Sequence, residues 1–89
     1  MIRQEVEIIN ELGLHARAAA RLVQVATRFR SHILVAHDGR TANGKSILGL
    51  LTLIGALGSR LTISASGPDE GNALRALVDL VTSRFGEER

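Results

Sequence analysis

The strongest constraint on this chain is the order in which two hydrophobic periods succeed each other. Residues 2 to 9 set Ile2, Val6 and Ile8 against Arg3, Glu5 and Glu7, with Gln4 the one exception, which is the spacing of a half-buried strand. After a loop from Asn10 to Leu14 the period changes. From Ala16 to Phe29, Ala19, Leu22, Val23, Ala26 and Phe29 recur at helical spacing, while Arg17, Arg21, Gln24 and Arg28 fall mostly on other faces. Ser31 to His37 and Arg40 to Asn43 read as two strands flanking Asp38-Gly39, a pair suited to a tight hairpin turn. Ser46 then caps a short apolar helix from Ile47 to Ile54, ended by Gly55 and Gly58. Leu61, Ile63 and Ala65 alternate with Thr62, Ser64 and Ser66 as a fourth strand before the Gly67-Pro68 break. A last helix opens with Asp69 as N-cap, carries Leu74, Leu77, Val78, Val81 and Phe85 on one stripe, and closes at Gly86. The order βαββαβα predicts an α+β fold, an antiparallel sheet with helices packed on one face.

Composition narrows the function classes. At 89 residues, 45% of them hydrophobic and 22% charged, the chain suits one globular domain, residues 1–89, and is too short for a two-domain enzyme with a cleft between its halves. The absence of cysteine excludes disulfides, zinc-thiolate sites and iron–sulfur clusters. A net charge of +2 and an aromatic content of 2% provide neither a basic stripe nor stacking platforms, so no nucleic-acid partner is expected. The charged start lacks the apolar run of a signal peptide, and the run from Ile47 to Leu57 is interrupted by Gly49, Thr52 and Gly55. It falls short of the roughly 18 residues a spanning helix needs, so neither membrane insertion nor a compartment other than the cytoplasm is expected.

Chemistry concentrates in Gly13-Leu14-His15-Ala16-Arg17. An imidazole at the start of a helix stands beside unpaired backbone N–H groups, which attract anions and disfavour imidazolium. A phosphoryl group on the ring of His15 would find donors waiting, with the Arg17 guanidinium adding a charge-assisted bond. From spacing alone an ordinary loop histidine beside a solvated arginine is the commoner reading. Ser46 also has two readings, an unmodified cap or a phosphorylatable switch whose added charge repels an acidic partner. Gly39-Arg40-Thr41-Ala42-Asn43-Gly44-Lys45-Ser46 satisfies the Walker A pattern letter for letter, but a hairpin and its second strand occupy the place where a P-loop requires a buried parallel strand. His32 and His37 have no third ligand at metal spacing, so no metal site and no cofactor are expected. The helix after Ser46 is apolar on nearly every side, which marks Ile47, Leu48 and Leu51 for a docking surface and leaves Leu50 and Leu53 for the core.

Gly-Leu-His-Ala-Arg followed by small residues, together with Lys45-Ser46-Ile47-Leu48-Gly49-Leu50, resembles the HPr family, the histidine-containing phosphocarriers of the bacterial phosphoenolpyruvate-dependent phosphotransferase system. The likeness covers almost the whole chain. It implies an open-faced β-sandwich, with three helices on one face of a four-stranded antiparallel sheet. It also implies a carrier without independent turnover, in which neutral His15 accepts phosphate on Nδ1 from enzyme I and passes it to an enzyme IIA. Arg17 and the backbone of Ala16, Arg17 and Ala18 would hold the phosphoryl oxygens, and Ser46 matches the serine modified by a dedicated kinase in many bacteria. Ile47, Leu48, Leu51, Arg21 and Lys45 would meet the partners, and a monomer is expected. The alternative within the resemblance is a regulatory, nitrogen-type module whose phosphorylation state is read by a target protein. One departure stands out: Ala18 occupies a place where the family usually has proline, which restores an N–H and loosens the start of the helix. Phosphorylation is expected to survive it.

Overall fold

The structure is a computed structural model that describes all 89 residues. It contains β1 (Ile2–Glu7), α1 (Ala16–Ala26), β2 (His32–His37), β3 (Arg40–Asn43), α2 (Ile47–Leu51), β4 (Arg60–Ser66) and α3 (Glu70–Thr82), followed by a single 3₁₀ turn, Arg84–Gly86. The four strands form one antiparallel sheet in the order β1-β4-β2-β3. Val6 lies opposite Leu61 and Val35 opposite Ile63, so the alternating apolar residues of neighbouring strands fall on one face. That face carries the helices. Twenty buried apolar residues from the strands, helices and connecting loops make a single cluster, with Ile33, Val35, Leu61 and Ile63 from the sheet meeting Leu22, Leu50, Leu77 and Val81 from the helices.

The periodic reading overran several ends. Ile8 leaves the β1 ladder yet stays buried, with its N–H donating to Ser59 O at 2.8 Å and its carbonyl accepting from Gly58 N at 2.9 Å. Helix α1 stops three residues before Phe29. Helix α2 ends at Leu51 because the Thr52 hydroxyl donates to Gly49 O at 2.6 Å and Ile54 takes a left-handed backbone, φ 54°. The hairpin turn is as expected: Asp38 and Gly39 both have positive φ, the requirement of a type I′ turn.

Asp69 corrects the expectation of a side-chain cap. It occupies the N-cap position of α3, but its carboxylate makes no bond to that helix and instead accepts from Arg30 N, Ser31 N and Ser31 Oγ at 2.9, 2.9 and 2.5 Å. The carboxylate thereby fastens the α1–β2 connection to the start of α3. The Ser31 hydroxyl, and then the Arg30 amide, hold its pKa below the usual carboxylate value. Since the folded pKa is lowered, this stabilisation is complete above the ordinary carboxylate range and is lost as pH falls through the lowered value. Urea midpoints should therefore drop below about pH 4, and Asp69→Asn should lower the midpoint at neutral pH and remove part of that acid step.

Candidate functional site

The loop before α1 is built around close backbone contacts. Gly13 has φ 68°, and a Cβ there would lie 2.4 Å from Gly55 O and 2.9 Å from the Ala56 Cα. Leu14 N donates to the same Gly55 carbonyl at 2.7 Å, so the chain is pinned to the α2–β4 connection one residue before His15. Buried Asn10 completes the pin. Its backbone carbonyl accepts from Gly13 N at 3.1 Å, and its side-chain amide donates to Gly13 O at 2.8 Å.

His15 is the N-cap of α1, in extended backbone, and its Nδ1 accepts from Arg17 N at 3.3 Å. The opposite nitrogen, Nε2, meets Glu87 Oε2 in a short contact. Glu87 Oε1 in turn accepts from Asn10 Nδ2 at 3.0 Å. His15 and Glu87 side chains retain 26% and 16% of their exposure, enough for the ring to reach solvent. Burial pushes the Glu87 carboxyl up, but hydrogen bonds from Asn10 and His15, with the positive charge of Arg21, outweigh it and leave the pKa below the usual glutamate value. An open cleft is lined by His15, Ala16 and Arg17 from the start of α1, Glu11 and Leu12 from the preceding loop, and the terminal Glu87, Glu88 and Arg89.

The remaining expected residues are distributed around this cleft. Ala16 and Arg17 are exposed, whereas Ala18 is fully buried and packs in the core. Arg21, whose spacing sets it off the apolar stripe of α1, is half-buried: its guanidinium donates to the carbonyl of Phe85 in a short bond. Phe85 itself corrects the reading of α3 as one helix to Gly86. The helix ends at Thr82, and Arg84, Phe85 and Gly86 follow with φ of 59°, 54° and 79°, a left-handed turn that inserts the Phe85 ring fully into the core. Lys45 Nζ donates to Phe29 O at 2.8 Å, just beyond the C-terminal end of α1. No three histidine, aspartate or glutamate side chains are grouped to hold a metal ion.

Ser46 Oγ accepts from Gly49 N at 3.1 Å and caps α2 as expected. Ser46→Ala should destabilise the fold by about 1 kcal/mol, measurable in equilibrium unfolding. On α2, Leu48 is 78% and Ile47 40% exposed, Leu51 is half-buried against the core, and Leu50 is fully buried, as is Leu53 just beyond the helix. The Walker-like letters from Gly39 to Ser46 form the end of a hairpin turn, an edge strand and the cap of a five-residue helix, with no phosphate cradle. Sequence reasoning missed Asn10 and Glu87. Asn10 lay in a segment read only as loop, and Glu87 lies 72 positions from His15, beyond any local spacing.

Residues 2–83 match the family model described as PTS HPr component phosphorylation site. The phosphocarrier protein HPr of Neisseria meningitidis serogroup A is 46% identical over 87 residues, covering 98% of each chain. The crystal structure of HPr from Thermoanaerobacter tengcongensis superposes with a TM-score of 0.95 at 47% identity, covering 100% of both chains. A crystal structure described as an HPr dimer from the same organism gives a TM-score of 0.78 at 47% identity, covering 98% of this chain and 100% of that one.

Proposed function

The chain belongs to the HPr family of phosphotransferase-system phosphocarriers, and from that membership and the geometry at the start of α1 we propose that His15 is the phosphoryl acceptor, charged by enzyme I and discharged to an enzyme IIA. The observation that carries the reading is the placement of His15 as the N-cap of α1 inside an open cleft. A nucleophile there reacts at the mouth of a helix whose first amides are available to an incoming anion.

In the step itself, the bond from phosphorus to the donor's histidine nitrogen breaks as the bond to His15 Nδ1 forms, with the phosphoryl group passing in line between two ring nitrogens. The 3.3 Å contact from Arg17 N to Nδ1 is long for a hydrogen bond, so that amide is readily released from the ring to the phosphoryl oxygens. The Ala16 amide and the exposed guanidinium of Arg17 are the other donors within the segment. Ala18, fully buried, contributes to packing and the least to that cradle. Lys45 and Arg21 act mainly by fastening Phe29 and Phe85. Exposed Ile47 and Leu48 supply the apolar docking surface, and Leu51 only its edge.

Ser46 serves as the site for a serine kinase, where a phosphate set beside the docking helix weakens association with an acidic partner. The carrier works as a cytoplasmic monomer. The structure has no helix long and apolar enough to cross a membrane. The test is incubation with enzyme I and phosphoenolpyruvate. A mass gain of one phosphoryl group that acid removes supports the reading, and no gain under conditions that charge a family member overturns it.

A further inference from the structure

We infer that Glu87, held by Asn10, is a positioning residue for His15: it fixes the imidazole in the tautomer with the proton on Nε2 and offsets the positive charge the ring acquires as Nδ1 bonds to phosphorus. The inference rests on His15 being the phosphoryl acceptor. Two independent contacts define the ring's protonation. An ionised carboxylate accepts only, so Nε2 must donate to Glu87 Oε2; a backbone N–H donates only, so Nδ1 must accept from Arg17 N. Both ends of the ring therefore demand the same state, with a lone pair on Nδ1.

The carboxylate is itself held. Its other oxygen accepts from Asn10 Nδ2, whose second acceptor is Gly13 O, so both bonds require the amide nitrogen on that side and leave Asn10 Oδ1 without a partner. The direction of the tail is set by three successive residues of left-handed backbone, Arg84, Phe85 and Gly86, anchored by the buried Phe85 ring and by Arg21 on its carbonyl. Two of these residues carry side chains that disfavour this region, a strain sustained only where the surroundings over-determine it. The turn delivers Glu87 to the face of His15 opposite its nucleophilic nitrogen.

When Nδ1 attacks phosphorus, its lone pair becomes the new bond, the donor nitrogen keeps the electron pair of the old one, and the proton stays on Nε2. Positive charge develops on the ring beside the carboxylate, the arrangement by which an acidic residue behind a reactive histidine both orients it and stabilises its charged form. Losing a hydrogen bond to a group that becomes charged costs about 10-fold in rate at the lower end of the usual range.

The experiment compares the wild-type chain with Glu87→Ala, Glu87→Gln and the control Glu7→Ala, an exposed carboxylate on β1 outside the cleft, measuring the rate of His15 charging from phosphorylated enzyme I and the ¹⁵N shifts of the imidazole. Glu87→Ala should slow charging about 10-fold with a full endpoint and mix the tautomers. Glu87→Gln should also slow it, because Asn10 and His15 are two donors and an amide has one acceptor oxygen. Glu7→Ala should behave as wild type, and unchanged amide spectra establish that every variant is folded. A wild-type rate in either Glu87 variant, an unaltered tautomer in Glu87→Ala, or an equal loss in Glu7→Ala overturns the inference. Failure of the wild-type chain to accept any phosphoryl group overturns the carrier reading instead, and the nitrogen shifts then decide the tautomer assignment by themselves.

Discussion

Replacing His15 by alanine is expected to take phosphoryl acceptance from one group per chain to none while leaving the fold intact. The side chain is only partly enclosed, and what the fold loses is an N-cap contact and the bond to Glu87. Loss of an N-cap is worth about 1 kcal/mol, small against the 5–15 kcal/mol or so that stabilises a domain. Neither other histidine can substitute. His37 Nδ1 is committed to Leu53 O at 2.8 Å, and His32 stands at the start of β2; neither lies at the start of a helix. Intact mass after exposure to enzyme I and phosphoenolpyruvate, alongside a thermal unfolding curve, separates the two effects. Any acid-labile gain in a folded His15→Ala chain would show that the phosphoryl group resides elsewhere.

The change of period places His15 at the entrance of α1, where the structure has it as the N-cap, and the reason is physical. Gly13, His15 and Arg17 act within a single turn of chain, so their spacing records their geometry. Helix α2 was legible for the same reason: Ser46 caps an amide three residues on, and Leu50 and Leu53, three apart, both face inward. What sequence could not display were contacts between distant segments. Arg21 has the spacing of a solvated residue and is taken up by a carbonyl 64 positions away. Asp69 has the sequence context of a cap, yet the amides it satisfies belong to the α1–β2 connection. Phe85 keeps its helical phase with Val81 and is nevertheless delivered to the core by a left-handed turn, which hydrophobic periodicity cannot distinguish from another turn of helix. The portion of the site invisible to spacing, Asn10 and Glu87, is the portion assembled across the whole length of the chain.

The second large effect concerns the residue that gives His15 its position. Gly13→Ala is expected to destabilise the protein by about 3 kcal/mol, from two sources that can be separated. A residue with a Cβ at φ 68° costs about 1–2 kcal/mol. The new methyl would also stand 2.4 Å from Gly55 O and 2.9 Å from the Ala56 Cα, backbone atoms of a segment already fastened to Leu14, so either the loop or the α2–β4 connection must move. Forcing volume into a packed site costs about 1–3 kcal/mol. For a domain of this size the sum is a fall of about 12–24 °C in Tm. Gly58→Ala is the control: its φ of 89° carries the same conformational cost, but no atom lies within 4 Å of the added Cβ, so its loss should be roughly half as large. Displacement of the loop also moves the N-cap away from Asn10 and Glu87, so Gly13→Ala should slow charging of His15 in the fraction that remains folded, whereas Gly58→Ala should charge at the wild-type rate. Equal stability losses in the two variants would mean that the close approach to Gly55 contributes nothing, and that the position of His15 is set by the rest of the loop.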